Sequence, residues 1–347
     1  MGGGEVYLER ASEVLAREFR LYAICFHPIL AEHLAMRGVK VFYTRAFLGR
    51  AVQRVAKYPI CAVLVLYAAL RYNVQTIYIN GCQGAYLAIL ARLLRRDTIL
   101  APLHLPWDRR TLYLPYVVSA RWAHRVINIS EAIDKEHRAI LPSVRTVAIP
   151  TWVQEIPDRS IRNPAQLRRT VLFIGRLVES KGLPDLISAI RKLQGRVSLM
   201  ISGNGPLRKK CEELAAGLPV TFLGHHPSLS ELYSKADALI VPSHGPEGSC
   251  LVAIEAMAHG LPCIMSDIPV YREIAEGGKC ALLVEPGSSD AIALAIQQLY
   301  EDEAIRLRIA EEAYAMVRNK YSAAVVWPAY LAAFSSNPQS DSSSTEP

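Results

Sequence analysis

Two cations follow a short apolar segment in the second half of the chain. Arg176 and Lys181 come after Val171–Ile174, and a helical pattern with Pro184 near its first turn comes next. The free N–H groups and the dipole at a helix start attract anions. An arginine adds a forked donor and a lysine adds a point charge, which together suit a diphosphate. Taken alone, the pair is equally consistent with two ordinary surface cations.

Two acids flank a second candidate anion site. Glu247 precedes Gly248–Leu251, whose backbone N–H groups are free at the start of a helical pattern, and Glu255 lies about two turns inside that helix. A carboxylate beside a phosphate site makes chemical sense if a sugar, with hydroxyls and a developing positive charge, adjoins the phosphate. The alternative for Glu255 is an acid on a helix surface, but its neighbours Ile254 and Ala256 are apolar and indicate a buried helix.

The elements that must position these residues alternate regularly in the second half. Short apolar runs, each followed by a helical pattern, occupy Val171–Ile174, Val197–Ser202, Val220–Gly224, Ala238–Pro242, Pro262–Ser266 and Cys280–Val284. Near-continuous apolar strands that alternate with amphipathic helices predict a parallel sheet covered on both faces, as in a Rossmann-like domain. In such sheets ligands bind beyond the carboxyl ends of the strands, which is where the two cations and two acids fall.

The first half has the same organisation with a weaker pattern. Its strand candidates are Leu21–Phe26, Lys40–Thr44, Thr76–Asn80, Thr98–Leu103, Arg125–Ser130 and Val144–Pro150. A polar, proline-punctuated stretch after residue 150 predicts a linker. We therefore expect an N-terminal domain over residues 1–152, a C-terminal domain over 153–334 whose final helix packs back on the first domain, and a disordered tail over 335–347, which is rich in Ser, Pro, Asn and Asp.

These motifs resemble those of glycosyltransferase family 4, also called glycosyl transferases group 1. The resemblance is continuous over about residues 171–300. It rests on Gly175-Arg176-Leu177 with Lys181-Gly182, Gly203-Asn204-Gly205-Pro206-Leu207, Phe222-Leu223-Gly224, the pair Glu247 and Glu255 in an E-x7-E motif, Ser266-Asp267 through Glu273, and Leu283-Val284 with Pro286-Gly287.

The resemblance implies an α/β GT-B fold, with two Rossmann-like domains facing a central cleft, and retaining transfer from a nucleotide-diphosphate sugar. Arg176 and Lys181 would neutralise the leaving diphosphate, and Glu247 would contact the donor sugar or stabilise its oxocarbenium-like charge. Glu255 would accept hydrogen bonds from the ribose hydroxyls. The further donor-binding residues implied are Gly175, Gly203, Gly205, Leu223, Gly224, Gly248, Ser249, Cys250 and Leu251. The family usually has an aromatic residue and a glycine where Ser249 and Cys250 stand.

The resemblance is weaker over residues 2–150. There, Gly3 and Gly4 resemble the family's glycine loop and would contact the donor, and His104 stands where a family histidine often follows a strand. His104 would act as an acceptor-side donor or base; a structural histidine is the alternative. No metal and no cofactor is implied, because the cations neutralise the diphosphate and no Asp-x-Asp motif appears.

Charge is segregated between the halves. Residues 1–150 carry 20 Lys and Arg against 10 Asp and Glu, and no acid occurs between Glu32 and Asp97. Arg50, Arg54 and Lys57 share one helical face ahead of an apolar segment, a pattern that suits an anionic membrane surface. The alternative is a solvated basic face on a core helix. Nucleic-acid binding is not expected, because no recognition module accompanies the charge.

Seven cysteines without a C-x-x-C pair argue against a disulfide framework and for a reducing compartment.

Taken together, these features of the sequence predict a cytoplasmic glycosyltransferase, peripheral on the inner membrane face, with a lipid-linked or glycan acceptor in polysaccharide or glycolipid biosynthesis. The alternative is a non-catalytic nucleotide-sugar-binding protein with a degenerate acceptor domain. Another GT-B enzyme, such as a phosphorylase, would need a pyridoxal-phosphate lysine site, for which the sequence carries no signal.

One expectation concerns the first domain. The glycine loop normally follows a buried first strand, yet Gly2-Gly3-Gly4 stands at the start of the sequence and Val6–Phe19 has the pattern of the following helix. In a doubly wound sheet that strand is central. We therefore expect the first domain to lack its first strand, and an upstream apolar segment of roughly 10–15 residues to exist in the gene.

Overall fold

The computed structural model describes residues 3–43, 50–81, 84–102, 110–157 and 167–335. Two compact units divide the chain: the N-terminal unit comprises residues 1–151 and 326–347, and the C-terminal unit comprises residues 152–325. Both contain parallel strands that alternate with helices, so the predicted α/β class is confirmed. The predicted site residue His104, most of the predicted tail (336–347) and the side chains of Arg50, Arg54 and Lys57 lie outside the described part of the chain.

The C-terminal unit is built on one six-stranded parallel sheet. Numbered along the chain after the six strands of the N-terminal unit, its strands are β7 (Thr170–Ile174), β8 (Ser198–Ser202), β9 (Val220–Gly224), β10 (Ala238–Val241), β11 (Cys263–Ser266) and β12 (Leu282–Val284). Their spatial order is β12-β11-β10-β7-β8-β9. Every residue of β10 and β11 is buried, as expected for central strands with helices on both faces.

The helices of the C-terminal unit follow these strands. They are α7 (Leu183–Lys192), α8 (Arg208–Leu214), α9 (Leu229–Lys235), α10 (Leu251–Ala258), α11 (Pro269–Ile274), α12 (Ser289–Glu301) and α13 (Glu303–Met316), with a short 3-10 helix at Glu179–Lys181. Helix α7 illustrates how these helices pack on the sheet through one apolar face: Leu183, Leu186, Ile187 and Ile190 recur at helical spacing and are fully buried. They join the main core with residues of β7, β8 and α12.

In the described residues of the N-terminal unit, six strands form two separate ladders. The strands are β1 (Tyr22–Cys25), β2 (Lys40–Tyr43), β3 (Thr76–Asn80), β4 (Asp97–Ala101), β5 (Arg125–Asn128) and β6 (Thr146–Ala148). β1 pairs with β2, β3 to β6 form a sheet in chain order, and no described strand pairs with both β1 and β3. In the order 3-2-1-4-5-6 of doubly wound sheets, this break falls at the position of a first strand.

Helices surround the two ladders of the N-terminal unit. They are α1 (Gly3–Glu18), α2 (Pro28–Met36), α3 (Arg50–Tyr72), α4 (Leu87–Leu93), α5 (Arg110–Ala120) and α6 (Glu131–Ile140). The last helix, α14 (Ala323–Ser335), belongs to this unit from Val326 onward. In this unit α14 packs against α1 through aromatic rings: the Tyr330 ring lies edge-on to the Tyr7 ring, with 6.2 Å between the ring centroids. Within the described ranges, none of these helices combines the length and the apolar character that crossing a membrane requires.

Candidate active site of the C-terminal unit

The centre of the C-terminal sheet brings the predicted catalytic residues together. β7 has β8 on one side and β10 on the other, so the chain order reverses between β7 and β10. Lys181 follows β7 and Glu247 follows β10; the Lys181 ammonium donates a hydrogen bond to Glu247 Oε1 at 2.6 Å. Their side chains are only 25% and 13% exposed. Residues 66 positions apart thus form an ion pair at the switch point, the usual ligand position of such sheets.

A glycine allows this close approach of the two loops. Gly182 follows Lys181 and has a left-handed φ of +66°; a Cβ added there would lie 1.9 Å from the carbonyl oxygen of Pro242. The same loops are joined by the backbone, since the His244 N–H donates to the Ser180 carbonyl at 2.9 Å. Only glycine fits this position, for reasons of both conformation and space.

The loop after β8 is pressed against the loop after β7 in the same way. A Cβ on Gly203, whose φ is +138°, would lie 1.9 Å from the Gly175 oxygen, and one on Gly205 would lie 2.4 Å from the Leu177 oxygen. The Gly203 N–H also donates to Gly224 at the end of β9, at 2.7 Å. The predicted donor-binding glycines of three loops, together with Leu223 beside Gly224, therefore form one continuous surface.

Helix α10 starts immediately beside the ion pair. Gly248 and Ser249 lead into the helix, which begins at Leu251, and Cys250 at the cap position makes no side-chain capping bond. The Ala253 N–H donates to the Cys250 carbonyl at 3.0 Å, whereas the N–H groups of Leu251 and Val252 make no backbone hydrogen bond within the described chain and remain available to an anionic ligand. Burial raises the pKa of the Cys250 thiol to about 11, with Lys181 acting in the opposite direction. The thiol is therefore neutral at physiological pH and does not repel an anion.

Glu255 is held by a residue that sequence reasoning missed. It is the fifth residue of α10, so it lies about one turn inside the helix instead of the expected two. The hydroxyl of Tyr233, on α9, lies 3.2 Å from both Glu255 Oε2 and the Val252 carbonyl oxygen, and its single proton is shared between these two acceptors. Burial and the neighbouring Glu255 carboxylate both raise the pKa of Tyr233, which keeps this proton. No local spacing signal links the two residues, because they lie on different helices.

Two further basic groups stand at the same loops. Arg176 is exposed and, among the described residues, has no acidic partner. His244, which sequence reasoning also missed, has its Nε2 atom 2.6 Å from Asp185 Oδ2 and would lie 3.2 Å from a Cβ added at Gly182. The site thus offers cations with spare donors above a helix start and two oriented carboxylates, an arrangement that suits an anionic ligand with hydroxyls.

The remaining predicted site residues fall in the N-terminal unit. Gly3 and Gly4 are not a loop but the first residues of helix α1, and Asn80 at the end of β3 donates to the Gly4 carbonyl at 3.3 Å. The helix thus begins at Gly3, three residues earlier than the expected Val6.

Comparison with known proteins agrees with this geometry. Residues 156–316 match the family model described as glycosyl transferases group 1. An uncharacterized glycosyltransferase of Methanocaldococcus jannaschii is 33% identical over 181 residues, which are 50% of this chain and 46% of that protein. A phosphatidyl-myo-inositol mannosyltransferase of Mycolicibacterium smegmatis is 34% identical over 40% of this chain and 38% of its own length. The chain spans half or less of these relatives' lengths.

Solved structures resemble the chain over nearly its whole length. HepE of Anabaena, solved with UDP-glucose, has a TM-score of 0.82 at 21% identity and covers 97% of both chains. Sucrose-phosphate synthase of Thermosynechococcus elongatus has a TM-score of 0.81 at 20% identity, over 96% of this chain and 93% of that one. The chain therefore has the predicted GT-B fold, and its residues 156–316 belong to the glycosyl transferases group 1 family.

Proposed function

We propose that the protein is a retaining glycosyltransferase that moves a hexose from a nucleotide-diphosphate sugar to a lipid-linked or glycan acceptor in polysaccharide or glycolipid biosynthesis. The observation that carries the proposal is the Lys181–Glu247 ion pair at the switch point. The names of relatives support the acceptor class: one is a lipopolysaccharide core biosynthesis glycosyltransferase of Rhizobium meliloti, 30% identical over 48% of this chain. The UDP-glucose bound to HepE supports a UDP-sugar as the first donor to test.

The donor would occupy the loops already described. Its diphosphate would lie against Arg176, Lys181 and the first turn of α10, whose charges and N–H groups all favour an anion. Glu255, oriented by Tyr233, would accept hydrogen bonds from the ribose hydroxyls. Each group then binds the part of the donor that matches its own chemistry.

The ion pair would change partners during the reaction. Without a donor, Lys181 neutralises Glu247; a bound diphosphate competes for the ammonium and leaves the carboxylate to face the sugar. When the bond between C1 and the phosphate oxygen breaks, its electron pair goes to the diphosphate, which Arg176 and Lys181 stabilise. The positive charge that develops on the sugar ring lies near Glu247. The acceptor oxygen then bonds to C1 on the face that the diphosphate leaves, and its proton passes to the departing phosphate.

The basic N-terminal half would place the enzyme on the inner face of an anionic membrane, from the cytoplasm. A net charge of about +10 on residues 1–150 is the observation that supports this location. Each cation near such a surface contributes about 1 kcal/mol. A membrane-bound acceptor would then be held at the same surface.

The test begins with a thermal-shift screen of nucleotide sugars, because a bound donor raises stability by mass action. The donor with the largest shift is then incubated with candidate lipid-linked acceptors, and product formation and anomeric configuration are read by NMR. Donor binding without any turnover would favour the non-catalytic alternative, and an inverted product would overturn retention.

A matched pair of variants tests the ion pair itself. Lys181→Met removes the proposed diphosphate contact, whereas Lys192→Met removes the Lys192–Asp290 pair, which has the same 2.6 Å distance but is 42% and 79% exposed. We expect Lys181→Met to lose turnover and Lys192→Met to keep it. Equal activity of both variants would refute the assignment.

A further inference from the structure

A basic cleft lies in the N-terminal unit, at the amino ends of its strands. It has a volume of about 410 Å³ and is lined by Arg92, Arg95 and His124. Arg92 belongs to α4, Arg95 follows that helix, and His124 directly precedes β5. Neither the motifs of the sequence nor the proposed transfer reaction uses these residues.

The hydrogen bonds of His124 fix the position of its ring proton. The backbone N–H of Thr98 donates to His124 Nδ1 at 2.9 Å, and an amide N–H cannot accept. Nδ1 is therefore unprotonated, and the ring proton of the neutral imidazole is on Nε2. Arg92 Nη1 lies 3.3 Å from that same Nε2. Two N–H donors thus face each other, and a carboxylate acceptor, Asp97 Oδ1, lies 3.4 Å from Nε2.

Arg95 occupies a backbone position that favours glycine. Its φ is +54°, its N–H donates to the Arg92 carbonyl, and the Arg96 N–H donates to the Ala91 carbonyl. This is the Schellman ending of a helix, in which glycine is usual at the left-handed residue. An arginine there retains a strained conformation that glycine would relieve, and it lines the cleft.

Donors exceed acceptors around the cleft. Within the described ranges, neither Arg92 nor Arg95 forms an ion pair, and the one carboxylate described at the cleft, Asp97, faces His124. Arg96 donates to Asn73 Oδ1 at 3.0 Å through one terminal nitrogen, but its buried Nε has no hydrogen-bond partner among the described residues. An oxyanion placed between Arg92, Arg95 and His124 would accept from all three and would separate the two opposed donors.

We propose that this cleft binds a phosphate group, and that the group is the headgroup phosphate of an anionic phospholipid. Two exposed apolar side chains favour the lipid source: Leu93, between the two arginines, is 72% exposed, and Trp122, two residues before His124, is 44% exposed. Tryptophan is enriched at membrane interfaces, where one end of its ring is apolar and the other is wet. The phosphate site does not depend on the proposed transfer reaction. Binding of a lipid phosphate there rests on the proposed membrane docking and assigns that docking to this cleft.

Arg95→Gly is the informative variant because it separates binding from folding. It removes a ligand-binding cation at a position where glycine relieves backbone strain, so its melting temperature should equal or exceed that of the wild type. Cosedimentation with phosphatidylcholine vesicles that contain phosphatidylglycerol should weaken about fivefold or more, the effect of one cation at such a surface. Arg92→Ala should weaken it similarly. Arg196→Ala, which removes an exposed arginine of the C-terminal unit, is the control that should bind normally.

Soluble ligands complete the test. Inorganic phosphate and glycerol 3-phosphate are titrated while the His124 ring is observed by NMR; the ligand should shift the Nε2 signal in the wild type and not in Arg95→Gly. If soluble phosphate shifts that signal but vesicles do not bind, the lipid source is wrong. If neither ligand acts, or if Arg95→Gly binds both normally, the site itself is wrong. Donor-induced thermal shifts, measured in parallel, report on the C-terminal unit and keep these failures distinct from failure of the proposed reaction.

Discussion

Gly182 is the position where a single methyl group should disable the candidate site. A Cβ there would lie 1.9 Å from the Pro242 oxygen, whereas real Cβ contacts under 3.0 Å are essentially absent. The loop after β10 must therefore retreat by at least about 1 Å, and Glu247 moves with it relative to Lys181. A misplacement of this size costs about 10²-fold in catalysis. We expect Gly182→Ala to lower turnover by that order.

Gly195→Ala provides the matched control. Gly195 has a similar left-handed φ of +76°, but a Cβ added there meets nothing within 4 Å. Its replacement should cost only the conformational penalty of about 1 kcal/mol, a fall in Tm of roughly 2–4 °C for a domain of this size. Gly182→Ala carries the same penalty plus the displacement of the loop.

The assay compares both variants in thermal unfolding and in turnover of the donor that gives the largest thermal shift. Gly195→Ala should be slightly destabilised and fully active; Gly182→Ala should be more destabilised and nearly inactive. If both variants lose equal stability and keep equal activity, the contact between the loops does not position the ion pair, and the reasoning fails.

Arg176→Ala or Lys181→Ala should lower kcat by about 10²–10³, the effect of losing one preorganised electrostatic contact, and wild-type kcat in either would refute the assignment. Glu255→Ala should mainly raise KM, because a ribose contact persists from ground state to transition state, whereas Glu247→Ala should mainly lower kcat. If both variants raise KM equally and leave kcat unchanged, the assignment of ribose binding to Glu255 and catalysis to Glu247 is wrong. Burial lowers the pKa of His137 from about 6.5 to about 4, so the unfolded chain binds a proton first as the pH falls. Stability should be complete above pH 6.5 and fall by at most about 3 kcal/mol toward pH 4, and denaturation of His137→Gln should show a smaller loss over that range.

The sequence predicted the strands and their order of appearance because burial leaves a direct pattern. β10 and β11 are buried on both faces, so their residues are apolar without interruption, and the loops after them carry the residues of the site. The strands of the N-terminal unit gave a weaker pattern for a physical reason: β1, β2 and β6 contain mostly half-exposed residues.

Contacts between distant loops were not predictable in this way. Nothing in the sequence around Lys181 indicates that its ammonium pairs with Glu247, since that contact depends on which strands are neighbours in the sheet. Tyr233 and His244 were missed because each acts through a partner on another element. The basic cleft was missed for the same reason: Arg92 and His124 are 32 residues apart, and their charges looked like part of a general basic surface.

The break between the two ladders of the N-terminal unit bears on how cooperatively that unit unfolds. The segment β1–α2–β2 has a small core of its own, with Cys25, Leu30, Leu34 and Val39 buried at its centre. In the described chain no ladder hydrogen bonds join it to β3, so side-chain contacts couple its opening to the rest of the unit; among them the Lys40 ammonium donates to the Tyr72 hydroxyl of α3, and Arg37 pairs with Glu9 of α1. Segments coupled so weakly exchange their amide protons at a lower free energy than the global unfolding of a protein. We therefore expect the N-terminal unit to open in two steps, and any strand that pairs with both β1 and β3 would merge them into one.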